Sequence, residues 1–169
     1  EEGQKGHWGY ADKLQTVPLR YDSIFDIASV TKAMACTSAL LLCKDRGLLD
    51  FDQPFTDYLP EYKAKLTNKI TVRDLAIHVS GFGAQTAYNA ISGKEIKYNL
   101  LNIVPEHPYG QFLYSCWNFH LLSMIVENLS KKDFAEFCTE NIFVPLEMTS
   151  TSLAKPVTNE AQRLTRSCQ

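Results

Sequence analysis

"IFDIASVTKAMACTSALLLCKDRG", residues 24–47, decides how the rest of the chain reads. Its centre, "IASVTKAM" (27–34), sets Ser29 three positions before Lys32 where a helix begins. From Val30 to Arg46 apolar residues fall on nearly every side, and Gly47 stands where a helix commonly ends. The pattern predicts a buried central helix with a serine and a lysine at its front. The spacing has a plain structural reading, a serine N-cap followed by a solvated lysine in the first turn. It also has a chemical one, because residues three apart share a helix face and Lys32 then stands within reach of the Ser29 hydroxyl. A serine hydroxyl is a poor nucleophile until a base takes its proton, and a lysine serves as that base only if burial or a neighbouring cation lowers its pKa. The helix N-terminus adds backbone N–H groups that favour negative charge near Ser29 and suit an oxyanion.

Around this stretch the composition is that of a folded domain with one core: 169 residues, 45% hydrophobic, with a formal net charge of -2. Charges of both signs are interspersed, and like-charged neighbours such as Lys131 and Lys132 are too few to make a basic track, which excludes nucleic acid as a partner. The longest apolar run, Ala39 to Cys43, is far short of the roughly 20 residues of a membrane span. The start at Glu1, with no initiator methionine and no signal-like segment, leaves the compartment unread. Cys36, Cys43, Cys116, Cys138 and Cys168 form no C-x-x-C pair and have no histidine at zinc-ligand spacing, so no structural metal is expected. Cys36 and Cys43, on one helix, would lie roughly 10 Å apart along its axis, too far for a disulfide. Most of the five read as buried core thiols.

Before the central helix, "GHWGYAD" and "PLRYDSIFDIAS" predict two short strands, about 6–10 and 19–25, paired as a hairpin or as sheet neighbours. After it, Pro54 and Pro60 break "LLDFDQPFTDYLPEY" into short turns. "ITVRDLAIHVSGF" predicts a helix with Thr71 as N-cap, Asp74 at its third position and Gly81 as its stop. Residues 83–111 read as a loop with short helical turns. Phe119, Leu122, Ile125, Val126 and Leu129 mark one face of a helix over 115–129, and "KDFAEFCTENIF" predicts another before Pro145.

Taken in order, these segments resemble the serine hydrolases related to class C β-lactamases, penicillin-binding proteins and D-aminopeptidase or esterase enzymes. "GYAD" with "IFDIASVTKAM" resembles the family's first strand and nucleophile helix, and "LLDFDQPFTDYLPEY" its L-D-x-P to Y-L-P segment. "ITVRDLAIHVSGF" is similar to the T-x-R-x-L-x-x-H-x-S-G helix, and "NIFVPLEMTSTS" to the I-F-x-P-L-G-M-x-x-T segment. The second family motif, Tyr-x-Asn, is matched in "FLYSCWNF" by Tyr114, while its asparagine position holds Cys116. The resemblance implies that Ser29 is the nucleophile, that Lys32 and Tyr114 move its proton, and that Cys116 occupies a substrate-binding position with a thiol, a weak donor and acceptor, in place of an amide. It gives His78 a structural role at a helix end. The third motif, Lys-Thr-Gly or His-x-Gly, has no counterpart after Ser150; "HWG" at 7–9 matches as a string but lies in the segment that resembles the first strands.

The implied fold is α/β (α+β), of the β-lactamase/transpeptidase-like type: a mostly helical region beside an antiparallel sheet that this chain contains only in part. Residues 1–169 are then expected to be a single domain, the N-terminal fragment of a longer one, completed by a missing C-terminal half or by self-association. The implied activity is hydrolysis of an ester, amide or lactam through an acyl-enzyme, without metal or organic cofactor, on a small-molecule or peptide substrate. The family resemblance implies a periplasmic or secreted setting. A second reading stays open, a binding or scaffold domain that keeps the architecture and has lost turnover through Cys116 and the absent third motif.

Overall fold

The helix that begins beyond Ser29 is not uniform along its length. In the computed structural model, which describes residues 6, 8–11, 14–67, 69–83, 98–153 and 164–165, a π-helical turn, Lys32–Thr37, leads into α1, Ser38–Asp45. Such turns widen a helix locally and often sit at functional positions. Gly47, at φ +70°, ends it as the sequence predicts: the Gly47 and Leu48 N–H groups donate to the Lys44 and Cys43 carbonyls, a Schellman cap. Ala35, Cys36, Ala39, Leu40 and Cys43 are buried, but Val30 is 60% and Leu41 53% exposed. The expectation of burial all round is therefore corrected: with Ala33, these residues make an apolar face, at helical spacing, that the described residues leave open.

The next helix, α2, Val72–Ala76, starts as predicted and stops early. Thr71 and Asp74 form a reciprocal capping box: the Thr71 Oγ1 accepts from the Asp74 N–H at 3.1 Å, and Asp74 Oδ2 accepts from the Thr71 N–H at 2.8 Å. The stop is His78 rather than Gly81. His78 takes φ +61°, its N–H donates to the Leu75 carbonyl and the Val79 N–H to that of Asp74, so a histidine fills the position of a Schellman glycine. Gly81 has its own reason to be glycine: at φ +81° a Cβ there would run into the His107 carbonyl oxygen.

α3, Cys116–Ser130, is the longest helix among the described residues, begun by Ser115 and ended by Lys131 in the left-handed region. It packs against α1, α2 and α4, Phe134–Cys138, whose N-cap Asp133 accepts from the Ala135 and Glu136 N–H groups. A second π-helical turn, Thr139–Phe143, extends α4. Leu40, Phe55, Leu75, Phe82, Leu121, Leu122, Ile125 and Phe137, each at most 2% exposed, form one core between these helices. The 50–60 segment is short turns as expected, around a 3₁₀ turn Phe55–Asp57. Cys36, Cys43 and Cys138 are free, buried thiols, Cys116 is free and half-buried, and Cys168 lies outside the described residues. Burial pushes the Cys36 thiol up to about 12.

Strand structure is sparse among the described residues. β1, Ile24–Phe25, pairs with β2, Leu164–Thr165, and the pair is parallel, with Ile24 opposite Leu164. The expected hairpin between 6–10 and 19–25 is reduced to an antiparallel bridge, Tyr10 to Pro18, flanked by hydrogen bonds from Ala11 N–H to Val17 O and Leu19 N–H to Gly9 O. Pro18 has no N–H to carry a ladder further. No helix among the described residues is long and apolar enough to cross a membrane.

Candidate active site

The turn that presents Ser29 is built from strain and a local cap. Ala28 sits at φ +43°, and its N–H donates to Asp26 Oδ1 at 2.9 Å. A non-glycine residue in that region costs on the order of 1–3 kcal/mol, which the surrounding contacts must offset. Ser29 N–H is thereby placed at the first turn of the helix, where N–H groups lack intrahelical partners. Ser29 itself is exposed.

Two groups converge on the Ser29 hydroxyl. Lys32 Nζ donates to Ser29 Oγ at 3.0 Å from one turn along the helix, and Tyr114 Oη lies 2.7 Å from the same oxygen, from a residue 85 positions away. Lys32 Nζ is also 5.0 Å from the Tyr114 ring centroid and 5.9 Å from that of Phe119. Burial alone lowers the Lys32 pKa, but the hydrogen bond with Tyr114 and the charge and hydrogen-bonding influence of Cys116 outweigh it, and the lysine ends above its ordinary value. The condition stated from sequence, a lysine whose pKa falls, is not met. Lys32 is a cation at neutral pH.

Cys116, the first residue of α3, is half-buried and acts on Lys32 from the position the resemblance gave to a substrate-binding amide. Asn118 does not stand in for that amide. It is fully buried and turned the other way, with Oδ1 accepting from Ser80 Oγ at 2.8 Å and Nδ2 lying 3.3 Å from His78 Nδ1.

Tyr114 is held by a polar cluster that residue-type reasoning missed. The Leu113 N–H donates to the His78 carbonyl at 2.8 Å, and the Ser115 N–H to His78 Nδ1 at 3.1 Å, so both neighbours of Tyr114 are tied to one histidine. The His78 ring stacks on that of Tyr114, with centroids 4.6 Å apart and planes at 36°. Ser115 Oγ donates to Gly83 O at 2.8 Å, and the N–H groups of Glu106, His107 and Gly110 donate to the carbonyls of Gly81 and Val79. The available signal was the pair His78 and Ser80 two residues apart, followed by a glycine; nothing in the sequence says that their partners lie near residue 115. Asp50 and Asp52 are turn and ion-pair residues: Asp50 accepts from the Asp52 N–H, and Asp52 pairs with Arg73 at 2.7 Å. His7 and residues 84–97 lie outside the described residues.

With this geometry in hand, the likeness to known proteins has physical content. The family model for Beta-lactamase matches residues 3–167. The chain is 29% identical over 160 residues to "Esterase/beta-lactamase LipL" of Mycobacterium tuberculosis, covering 92% of this chain and 37% of that protein. It is 27% identical over 155 residues to "Protein flp" of Staphylococcus aureus, covering 86% of this chain and 31% of that protein. Among solved structures, FmtA from Staphylococcus aureus superposes with a TM-score of 0.79 at 22% identity, covering 93% of this chain and 43% of that one. A penicillin-binding protein homologue from Caulobacter crescentus gives 0.77 at 24%, covering 96% and 44%. The chain thus spans less than half the length of these relatives, with the β-lactamase/transpeptidase-like fold in its helical part. The match over residues 3–167 makes this chain a member of the β-lactamase family, serine hydrolase-like proteins that share their fold with penicillin-binding proteins.

Proposed function

We propose that this chain is the nucleophile-bearing part of a serine hydrolase that opens an ester, amide or lactam through an acyl-enzyme on Ser29. The observation that carries the reading is the meeting of Tyr114 Oη and Lys32 Nζ on Ser29 Oγ at 2.7 and 3.0 Å, from two distant parts of the chain. Because Lys32 remains a cation, Tyr114 Oη, in contact with Ser29 Oγ, is the group that takes the serine proton. Ser29 Oγ then bonds to the carbonyl carbon, the carbonyl π pair moves to oxygen, and the Ser29 N–H is one donor to that oxyanion. Collapse breaks the bond to the leaving group, which receives the proton from Tyr114. Water, deprotonated by the same Tyr114 oxygen, attacks the acyl carbon, and the proton returns to Ser29 Oγ as the acid is released. Lys32 offsets the negative charge that passes between these oxygens.

The share of its relatives that the chain covers, and the open apolar face of Val30, Ala33 and Leu41, support a domain completed by further structure laid over that face. A fluorophosphonate or penicillin-type acylating probe, read by intact mass on the full-length protein, tests the activity. One mass addition that disappears in Ser29→Ala is expected; a folded full-length protein that takes no label overturns the reading, in favour of a binding domain.

A further inference from the structure

His78 fills a position that a glycine would occupy at less cost, and its ring is the centre of a buried chain of hydrogen bonds. A histidine at φ +61° carries on the order of 1 kcal/mol or more of backbone strain. That cost has a visible return. The Ser115 backbone N–H can only donate, so His78 Nδ1 must be an acceptor and the ring proton sits on Nε2. Ser80 Oγ donates to Asn118 Oδ1, which orients the Asn118 amide so that Nδ2 also faces Nδ1. Two donors aimed at one ring nitrogen specify the neutral imidazole. The groups around the ring are Phe112 and Tyr114 from the preceding loop, Ser115, Asn118 and Phe119 from the start of α3, and Lys32, whose positive charge also opposes protonation.

We infer that His78, kept neutral by Asn118 and Ser80, is a positioning residue that fixes Tyr114 against Ser29 by holding both of its chain neighbours and one face of its ring. Protonation at Nδ1 would set an N–H against the Ser115 and Asn118 N–H groups and release the Ser115 tether. Tyr114 Oη then leaves the 2.7 Å contact with Ser29, and misplacement by about 1 Å is worth up to ~100-fold in rate. The consequence for rate rests on the proposed nucleophilic role of Ser29; the positioning of Tyr114 does not.

The test therefore has two arms, both on the full-length protein. In the first, NMR of ring-labelled tyrosine and histidine follows Tyr114 and His78 in the parent and three variants. His78→Gly keeps the left-handed turn and removes the ring, and is expected to shift and broaden the Tyr114 signals. His78→Asn places a side-chain oxygen near the Nδ1 position and tolerates the same turn, and is expected to recover most of the parent signals. Asn118→Asp replaces a donor by an acceptor and should put a proton on Nδ1, displacing Tyr114 with the fold retained. Unchanged Tyr114 signals in either His78→Gly or Asn118→Asp, or an Nδ1–H tautomer in the parent at neutral pH, overturn the inference. In the second arm, Ser29 labelling by a fluorophosphonate should slow roughly 10- to 100-fold in His78→Gly and recover in His78→Asn. Labelling at the parent rate in folded His78→Gly also overturns it. A parent that takes no label, with the NMR result as expected, removes the proposed chemistry and leaves the positioning role standing.

Discussion

Lys32 and Tyr114 share one target, the Ser29 hydroxyl, and their roles divide by charge. Lys32, kept cationic by its contacts with Tyr114 and Cys116, is a poor proton acceptor at neutral pH and a good partner for an anionic oxygen. In the proposed reaction the proton therefore moves to Tyr114. Tyr114→Phe should cut the rate of Ser29 acylation by roughly 10²- to 10⁴-fold, measured by labelling kinetics, while the ring keeps its stack on His78 and the melting temperature stays close to that of the parent. Cys116 sets a second expectation. A thiol donates and accepts weakly, so Cys116→Asn, which restores an amide beside Lys32, should raise the acylation rate about tenfold, in keeping with the strength of hydrogen bonds to charged groups. The same labelling assay checks it, and an unchanged or lower rate overturns it.

At the scale of elements, the helix starts were legible and one stop was not. Thr71 and Asp74 announce a capping box by residue type and spacing, and the box is present. Thr71→Ala should lower stability by about 1 kcal/mol, read as a shift in denaturant midpoint with an unchanged slope. Gly47 likewise announced its helix end, because an isolated glycine after a periodic run favours the left-handed cap. Gly81 misled for the same reason. The residue that ends α2 is His78, whose side chain finds partners on α3 that no local pattern contains. Strand expectations suffered from the opposite limit, since a strand exists only if its partner is present. The expected 6–10 to 19–25 hairpin is therefore reduced to the Tyr10–Pro18 bridge, while Ile24–Phe25 pairs with Leu164–Thr165 instead.

Across the whole molecule, the buried polar cluster joins α2, α3 and the loop before α3, so its protonation state bears on stability as well as on the site. Burial, then the charge of Lys32, holds the pKa values of His78 and His120 below the ordinary 6.5. The unfolded chain therefore binds more protons than the folded one just below pH 6.5, and stability should fall as pH drops from 6.5 through the folded-state values, then level off with respect to these two groups. Equilibrium unfolding at a series of pH values checks this. Asn118→Asp, by drawing a proton onto His78, should flatten the His78 contribution to that fall.

Features that depend on neighbours within a few residues can be read from the order of residues alone: the Ser29 to Lys32 spacing, the capping box at Thr71, the Schellman end at Gly47, the apolar face of α3. These follow from backbone geometry and helical period, and they were enough to resemble a family whose model then matched residues 3–167. The remaining features depend on packing across the fold. Packing brings Tyr114 across 85 positions to Ser29, raises the Lys32 pKa where a fall is required of a base, and turns Asn118 away from the site toward His78. Each of these depends on which groups share a buried space, and burial, charge and hydrogen bonding act through distance in space, which the order of residues along a chain does not specify.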